Sequence, residues 1–251
     1  GDVGSSDEKL CIKTLATNAR SLVDSLLRNS PSKSMSKAFQ DRIPELLANI
    51  FGIWTLQSTE YYNEMRGIDS RDTYLLCPHV AQIIAILRIL GIGYKTMPKG
   101  KNLINNLVQI GTGEGKSVVL AAVSCVFALA GIDVSCSCYS SDLSTRDKEA
   151  FASLFQILGV SEKIDYGTFN KLCENLLNEQ CNVREKVCDM ILNNQNVLKA
   201  VEQKKCKPEK VLLIDEVDVF LSDEYYGGSY APIFLLKHPK IKALLDSIWN
   251  N

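Results

Sequence analysis

Three glycines, a lysine and a serine stand together near the middle of the chain, in the stretch QIGTGEGKSVVLAA at residues 109–122. Because glycine has no Cβ, backbone N–H groups in such a stretch can approach the oxygens of an anion closely. Lys116 adds a positive charge and Ser117 adds a hydroxyl that suits magnesium. The apolar run behind them predicts a helix whose positive end also favours an anion. These features predict a phosphate-binding loop, and the alternative is a flexible turn before a buried helix.

The stretch matches only the second half of the P-loop pattern G-x-x-x-x-G-K-[ST], because Ile110 occupies the place of the first glycine. Gly111 and Gly113 supply the missing flexibility from neighbouring positions. The residues expected to bind the phosphates of a nucleotide are Thr112, Gly113, Glu114, Gly115, Lys116 and Ser117.

A second pattern lies well downstream, in VLLIDEVDVF at residues 211–220. Four apolar residues there predict a buried strand, and Asp215 and Glu216 follow them. At the end of a strand beside a phosphate loop, the aspartate would hold Mg²⁺ and the glutamate would activate the attacking water. A solvated acidic loop is the simpler alternative. The occurrence of both patterns in one chain favours a nucleotide site.

The apolar spacing predicts the elements that must position these residues. Helical spacing runs through residues 7–28 and 36–65, with Pro44 near a helix start or at a kink. Further helices are predicted over 78–90, 117–131, 144–159 (with Ser144 as the N-terminal cap) and from 169 to about 203. Strands are predicted over 103–110, 133–139, 163–168 and 211–220.

Alternating strands and helices predict an α/β fold with a parallel sheet that is covered on both faces. We expect residues 1–70 to form a helical amino-terminal segment and residues 71–251 to form the nucleotide-binding lobe.

Composition excludes several classes of protein. The chain has 46% hydrophobic and 23% charged residues with a net charge of −1, which is ordinary globular material and disfavours nucleic acid as the main partner. Nine cysteines and two histidines form no zinc pattern, so we expect reduced cysteines that act as small hydrophobes. With no signal peptide or bilayer-spanning run, a cytoplasmic location is expected. The absent initiator methionine and the finish at SIWNN suggest a fragment.

The motifs TGEGKS, TRD, YGT and DEVD, taken together, resemble the amino-terminal motor domain of the SecA preprotein translocase ATPases. Arg146-Asp147 matches a dipeptide of that family, and Asp215 to Asp218 match its DEVD. Gln82, in PHVAQ, lies where the family has a glutamine that reads adenine. The similarity covers roughly residues 71–232.

The resemblance implies a RecA-like lobe that binds ATP and Mg²⁺. Lys116 and Ser117 would bind phosphate and magnesium, Asp215 would hold the ion, and Glu216 would be the general base. Gln82 would contact adenine, and Lys116 and Glu216 are the expected catalytic residues. The implied partners are a second motor lobe, an unfolded polypeptide and a membrane channel. A peripheral position at a membrane is the alternative to the cytoplasmic location.

Two other functions remain open at this stage. A DEAD-box-type nucleic-acid helicase shares the lobe and a DExD sequence, but SDLSTRD stands here in place of the helicase motif P-T-R-E-L-A. An ATP-binding scaffold without turnover is the third reading, although intact Lys116, Ser117, Asp215 and Glu216 argue against it. The segment YGTFNKLCEN also departs from the SecA pattern, which leaves the role of that segment open.

Overall fold

The computed structural model describes residues 3–29, 36–65, 67, 75–93, 105–193, 209–220 and 238–250. Its helices are α1 (Val3–Asn29), α2 (Lys37–Met65), α3 (Val80–Ile89), α4 (Lys116–Leu129), α5 (Ser141–Leu158), α6 (Phe169–Cys181), α7 (Val183–Asn193), α8 (Val217–Phe220) and α9 (Pro239–Trp249). Its strands are β1 (Asp133–Cys138), β2 (Ile164–Thr168) and β3 (Lys210–Ile214). The α/β class with a parallel sheet is confirmed.

The two long amino-terminal helices form as their apolar spacing predicts. In α1 the buried positions are Ala16, Ala19 and Val23, which lie on one helical face. That face packs on α2, and at one crossing point the position of a Cβ on Gly52 lies 3.0 Å from the Leu15 side chain. Pro44 lies inside α2 and not at its start.

Three parallel strands form the described sheet, in the order β2-β1-β3. Val134 in the central strand pairs with Ile164 on one side and with Val211 on the other. Helix α4 packs on the sheet and is buried on all sides, since nearly every residue from Val119 to Ala128 is buried. This agrees with the near-continuous apolar run of its sequence.

The strand predicted before the glycine loop is wrong for the residues that the structure describes. Residues 105–110 alternate between exposed and partly buried positions, as an extended chain does, but they pair with no strand. Leu107 is 76% exposed, whereas Val108 and Ile110 pack on the core. One face of this segment is therefore uncovered, which removes the burial that makes a central parallel strand stable.

Several other boundaries differ from the prediction, among them α3, which begins at Val80, and the helix predicted from residue 169, which is divided at Asn182. The strand predicted over 211–220 ends at Ile214, and residues 217–220 are helical, because the positive φ of Glu216 turns the chain away from the sheet. Helix α5 starts at Ser141, since the Ser140 hydroxyl, and not that of Ser144, accepts the Leu143 N–H at 3.2 Å. The predicted stop at Gly159 is confirmed by its φ of 69°.

The amino-terminal helices α1 and α2 contact the rest of the described chain through α5. The Arg20 guanidinium donates to the carbonyl oxygens of Ile157 and Leu158, with an Nε–O distance of 3.1 Å to Leu158. Gln57 on α2 donates to the Ser153 hydroxyl over 2.6 Å. The buried side chains of α1 and α2 belong to the same core as those of α4 and the sheet. The division of the chain at residue 70 falls outside the described ranges and stays a prediction.

Within the described ranges, no helix is long and apolar enough to cross a membrane.

Arg20→Ala is expected to lower the free energy of unfolding by about 1–3 kcal/mol, because it removes charged hydrogen bonds to the end of α5. Urea denaturation of the variant measures this change. Arg28→Ala, at an exposed position in the last turn of α1, is the control and should change stability by less than about 0.5 kcal/mol. Equal losses in the two variants would contradict the role given to Arg20.

Candidate nucleotide-binding site

The glycine loop leads directly into the first turn of α4. Gly113 and Gly115 have φ values of 84° and 75°, in the left-handed region that favours glycine. Gly115 is the N-terminal cap, and Lys116 and Ser117 are the first two residues of the helix. Their backbone N–H groups lie in the turn that has no helical carbonyl partner. Together with the positive end of the helix, these donors can hold a phosphate.

Exposure along the loop suits the same purpose. Residues 111–114 are exposed to solvent, whereas residues 115–117 are partly buried. Thr112 and Glu114 therefore line the open side, and the Glu114 N–H closes a tight turn by donating to the Gly111 carbonyl over 3.2 Å. Lys116 makes no ion pair with any described residue, so its ammonium group remains available to an anion.

Gln82 lies against the loop from α3. Its side-chain oxygen accepts the His79 N–H at 2.8 Å, and its Nε2 donates to the Glu114 carbonyl at 2.9 Å. A Cβ on Gly115 would lie only 2.4 Å from this Nε2. Gly115 is therefore required both for its backbone conformation and for the close approach of Gln82. The glutamine fixes the start of α3 to the loop, and a contact with adenine stays a prediction.

Ser117 has a partner that the sequence analysis did not identify. Its hydroxyl donates to Oδ2 of Asp147, on α5, over 2.9 Å. Arg146 donates to the other oxygen, Oδ1, from Nε at 3.0 Å and from a terminal nitrogen at 2.8 Å. A signal was present in the sequence, because Asp147 lies in helical phase with the buried Phe151 and Leu154. A carboxylate on the apolar face of a helix needs a partner.

The acidic pair lies where β3 ends. The Asp215 N–H donates to the Ser137 carbonyl over 2.9 Å, which extends the ladder between β3 and β1 by one residue. Asp215 is partly buried and Glu216 is exposed. Glu216 has a φ of 54°, a left-handed conformation that costs a residue with a Cβ about 1–2 kcal/mol. Such costs occur at functional sites more often than elsewhere.

The pKa of the Cys138 thiol, at the end of β1, depends on the charged side chains around it. Burial, together with the carboxylates of Asp147, Asp215 and Glu216, raises its pKa to about 11, while Arg146 acts in the opposite direction. The carboxylates from α5 and from the end of β3 therefore lie close enough to the carboxyl end of β1 to act on the same thiol. Through the bond to Asp147, Ser117 is joined to this group.

The donor set suits magnesium. Among the residues that the structure describes, no group of three or more acidic, histidine or cysteine side chains could hold a metal by itself. Magnesium that is bound with a nucleotide does not need one, because it usually takes one or two protein oxygens, phosphate oxygens and water. The Ser117 hydroxyl and the Asp215 carboxylate can supply those protein oxygens.

The buried cysteines agree with the prediction that cysteine acts here as a small hydrophobe. Cys125, Cys136 and Cys138 are free thiols in the core, and burial raises the pKa of Cys136 to about 12. A thiol with so high a pKa is a poor nucleophile at neutral pH.

Residues 11–227 match the family model described as the SecA DEAD-like domain. A search among curated proteins gave no match. The matched range includes the glycine loop, the Arg146-Asp147 pair and the acidic end of β3. It begins inside α1, upstream of the range 71–232 that the motifs suggested.

Gly115→Ala is expected to cost more stability than Gly113→Ala. Both place a Cβ in the left-handed region, at about 1–2 kcal/mol, but only the Cβ at 115 meets Gln82, since nothing lies within 4 Å of the one at 113. Urea denaturation of both variants measures the difference. In a Gln82→Ala background the excess cost at 115 should disappear, and its persistence would contradict the contact.

Proposed function

The chain belongs to the SecA DEAD-like domain family, and on that premise we propose that it binds MgATP and couples ATP hydrolysis to the movement of a polypeptide. The family is one of ATPase domains with a RecA-like α/β fold. One observation in the structure supports the proposal most directly. The loop that ends in Lys116 and Ser117 opens α4, and the Ser117 hydroxyl is bonded to Asp147. Asp147 and the acidic pair after β3 both act on the pKa of Cys138 at the carboxyl end of β1.

Phosphate binding follows from the loop and its lysine. Backbone N–H groups of the first turn of α4 would donate to phosphate oxygens, and the Lys116 ammonium would lie against the β- and γ-phosphates. Because Lys116 has no described partner to leave, its charge is available without the cost of breaking an ion pair. We therefore expect the affinity for ATP to depend on Lys116 more than on the other residues of the loop.

Magnesium would be held by the Ser117 hydroxyl and the Asp215 carboxylate. When bound, the ion supplies charge neutralisation at the transferring phosphoryl group. Glu216 would accept the proton of the attacking water, since its exposed carboxylate is adjacent to Asp215 and beyond the end of the strand. The positive φ of Glu216 sets the direction in which its side chain leaves the main chain.

Gln82 would read the base. A carboxamide offers one donor and one acceptor side by side, as the edge of adenine also does, and guanine presents a different pattern. In the ligand-free structure these groups are bonded to Glu114 and His79, next to the phosphate loop. Adenine binding would use the second N–H of Nε2 and the second lone pair of the side-chain oxygen, beside the bonds to Glu114 and His79.

The motor action would need partners beyond this domain. A second lobe would close on the nucleotide, and the change in the angle between the lobes would push a bound polypeptide toward a membrane channel. The family membership supports a polypeptide as the substrate, and the net charge of −1 gives no support to nucleic acid. We propose a location in the cytoplasm or peripherally at a membrane, which the family membership supports.

Lys116→Ala is expected to weaken ATP binding about 10- to 100-fold, the equivalent of losing one charge-assisted hydrogen bond. Calorimetric titration with MgATP and with MgGTP measures this, and the wild type should prefer ATP. Lys13→Ala, at an exposed position on α1, is the control and should bind like the wild type. Equal affinity for ATP in the Lys116 variant and the wild type would contradict the loop assignment. A folded wild type that binds no nucleotide would contradict the function itself.

Glu216→Gln is expected to slow ATP hydrolysis by about 10²- to 10⁴-fold while ATP still binds, because the amide cannot take a proton. Single-turnover hydrolysis of labelled ATP measures the rate, with Glu162→Gln as an exposed acidic control outside the named motifs. Hydrolysis by the Glu216 variant at the wild-type rate would contradict its role as base.

The substance that stimulates ATP hydrolysis distinguishes a polypeptide motor from a nucleic-acid helicase. We expect the chain alone to hydrolyse ATP slowly, and addition of a second lobe with unfolded polypeptide to raise the rate. Rapid steady-state turnover by the chain alone would contradict the need for a second lobe. Stimulation by RNA and not by polypeptide would favour the helicase alternative.

A further inference from the structure

Asp147 is a buried carboxylate whose two oxygens have different partners. Its side chain is 7% exposed, although aspartate is almost never buried without a partner. Oδ1 accepts two bonds from Arg146, and Oδ2 accepts the Ser117 hydroxyl. The helical face that carries Asp147 is fixed in the core by Phe151 and Leu154. The carboxylate is therefore held in place from both sides.

We propose that Asp147 is a positioning residue that turns the lone pairs of Ser117 toward magnesium. A serine hydroxyl has one proton to donate and two lone pairs that accept. Because Asp147 takes the proton, only lone pairs remain to face the phosphate loop, and lone pairs are what a cation requires. This inference rests on the proposed nucleotide function, since it concerns the metal that accompanies the nucleotide.

The arrangement favours an indirect role for Asp147 over direct coordination. Both of its oxygens are occupied by protein donors, and the Arg146 guanidinium compensates its charge. Residues that hold metal ligands in orientation typically alter metal affinity by 10- to 100-fold when they are changed. Arg146, with a side chain that is 65% exposed, would keep Oδ1 engaged so that Oδ2 stays aimed at Ser117.

The test compares ADP binding with magnesium and without it. The magnesium ratio is the affinity for ADP with magnesium divided by the affinity for ADP in EDTA. For Asp147→Asn we expect this ratio to fall about 10- to 100-fold, while ADP affinity in EDTA stays within about twofold of the wild type. The near-isosteric amide can donate to Ser117 and so reverse the direction of the hydrogen bond. Glu149→Gln removes an exposed carboxylate from the same helix, and its ratio should equal that of the wild type.

A second variant keeps the test open if Asp147→Asn does not fold. Arg146→Gln, at the exposed end of the pair, frees Oδ1 and should produce a smaller loss of the same ratio. In a Ser117→Ala background, where the ratio is already reduced, Asp147→Asn should lower it no further.

Three results would overturn the inference. An unchanged ratio in both Asp147→Asn and Arg146→Gln would show that magnesium does not sense the pair. Equal weakening of ADP with and without magnesium would make Asp147 a general support of the loop. A further loss of the ratio on top of Ser117→Ala would make Asp147 a ligand in its own right. Failure of the wild type to bind ADP at all would reject the proposed function together with this inference, and is thereby distinguishable from these three.

Discussion

The parallel pairing of β1 with both of its neighbours is the constraint on which the site depends. In a parallel sheet all carboxyl ends lie at one edge, so the end of β3, which carries Asp215 and Glu216, must lie beside the end of β1. The helix that follows β1 then begins at the same edge. The acidic residues and the start of α5 are brought together by this topology before any side-chain contact is made.

Helix α5 connects this edge of the sheet to the amino-terminal helices. Near its start Asp147 is bonded to Ser117 in the phosphate loop, and at its end the carbonyl groups of Ile157 and Leu158 accept bonds from Arg20 of α1. The same helix therefore has hydrogen-bonded contacts to the glycine loop near its start and to α1 at its end. The amino-terminal helices and the nucleotide site are thus joined through one packed element.

Sequence patterns could predict the parts of this structure that depend on local chemistry. The helices α1 and α2 follow from apolar spacing, and the stop of α5 follows from a glycine that takes a left-handed conformation. The motif residues of the loop and of the acidic pair could be named because their chemistry needs those residue types in that order. The segment 105–110 could not be assigned correctly, because a short stretch with apolar residues before a glycine turn looks the same in the sequence whether or not a neighbouring strand pairs with it.

The hydrogen bond between Ser117 and Asp147 could not be predicted from local sequence patterns. The two residues are thirty positions apart, and only the packing of α5 beside α4 brings them together. Apolar periodicity marks Asp147 as facing the core, but it cannot say which donor the carboxylate will meet there. Predicting such a pair requires the tertiary arrangement of two helices, which a single sequence without a template does not provide.

Two local costs of folding meet at the same edge of the sheet. Glu216 adopts a left-handed conformation that a residue with a Cβ avoids, and Asp147 places a carboxylate in the core, where it needs partners to be tolerated. Neither feature improves the packing of the sheet or of the helices. A fold selected for stability alone would remove both, by a glycine at one position and an apolar residue at the other. Their occurrence together, beside the glycine loop, is an argument for a functional site at this edge, drawn from backbone conformation and burial and not from residue order.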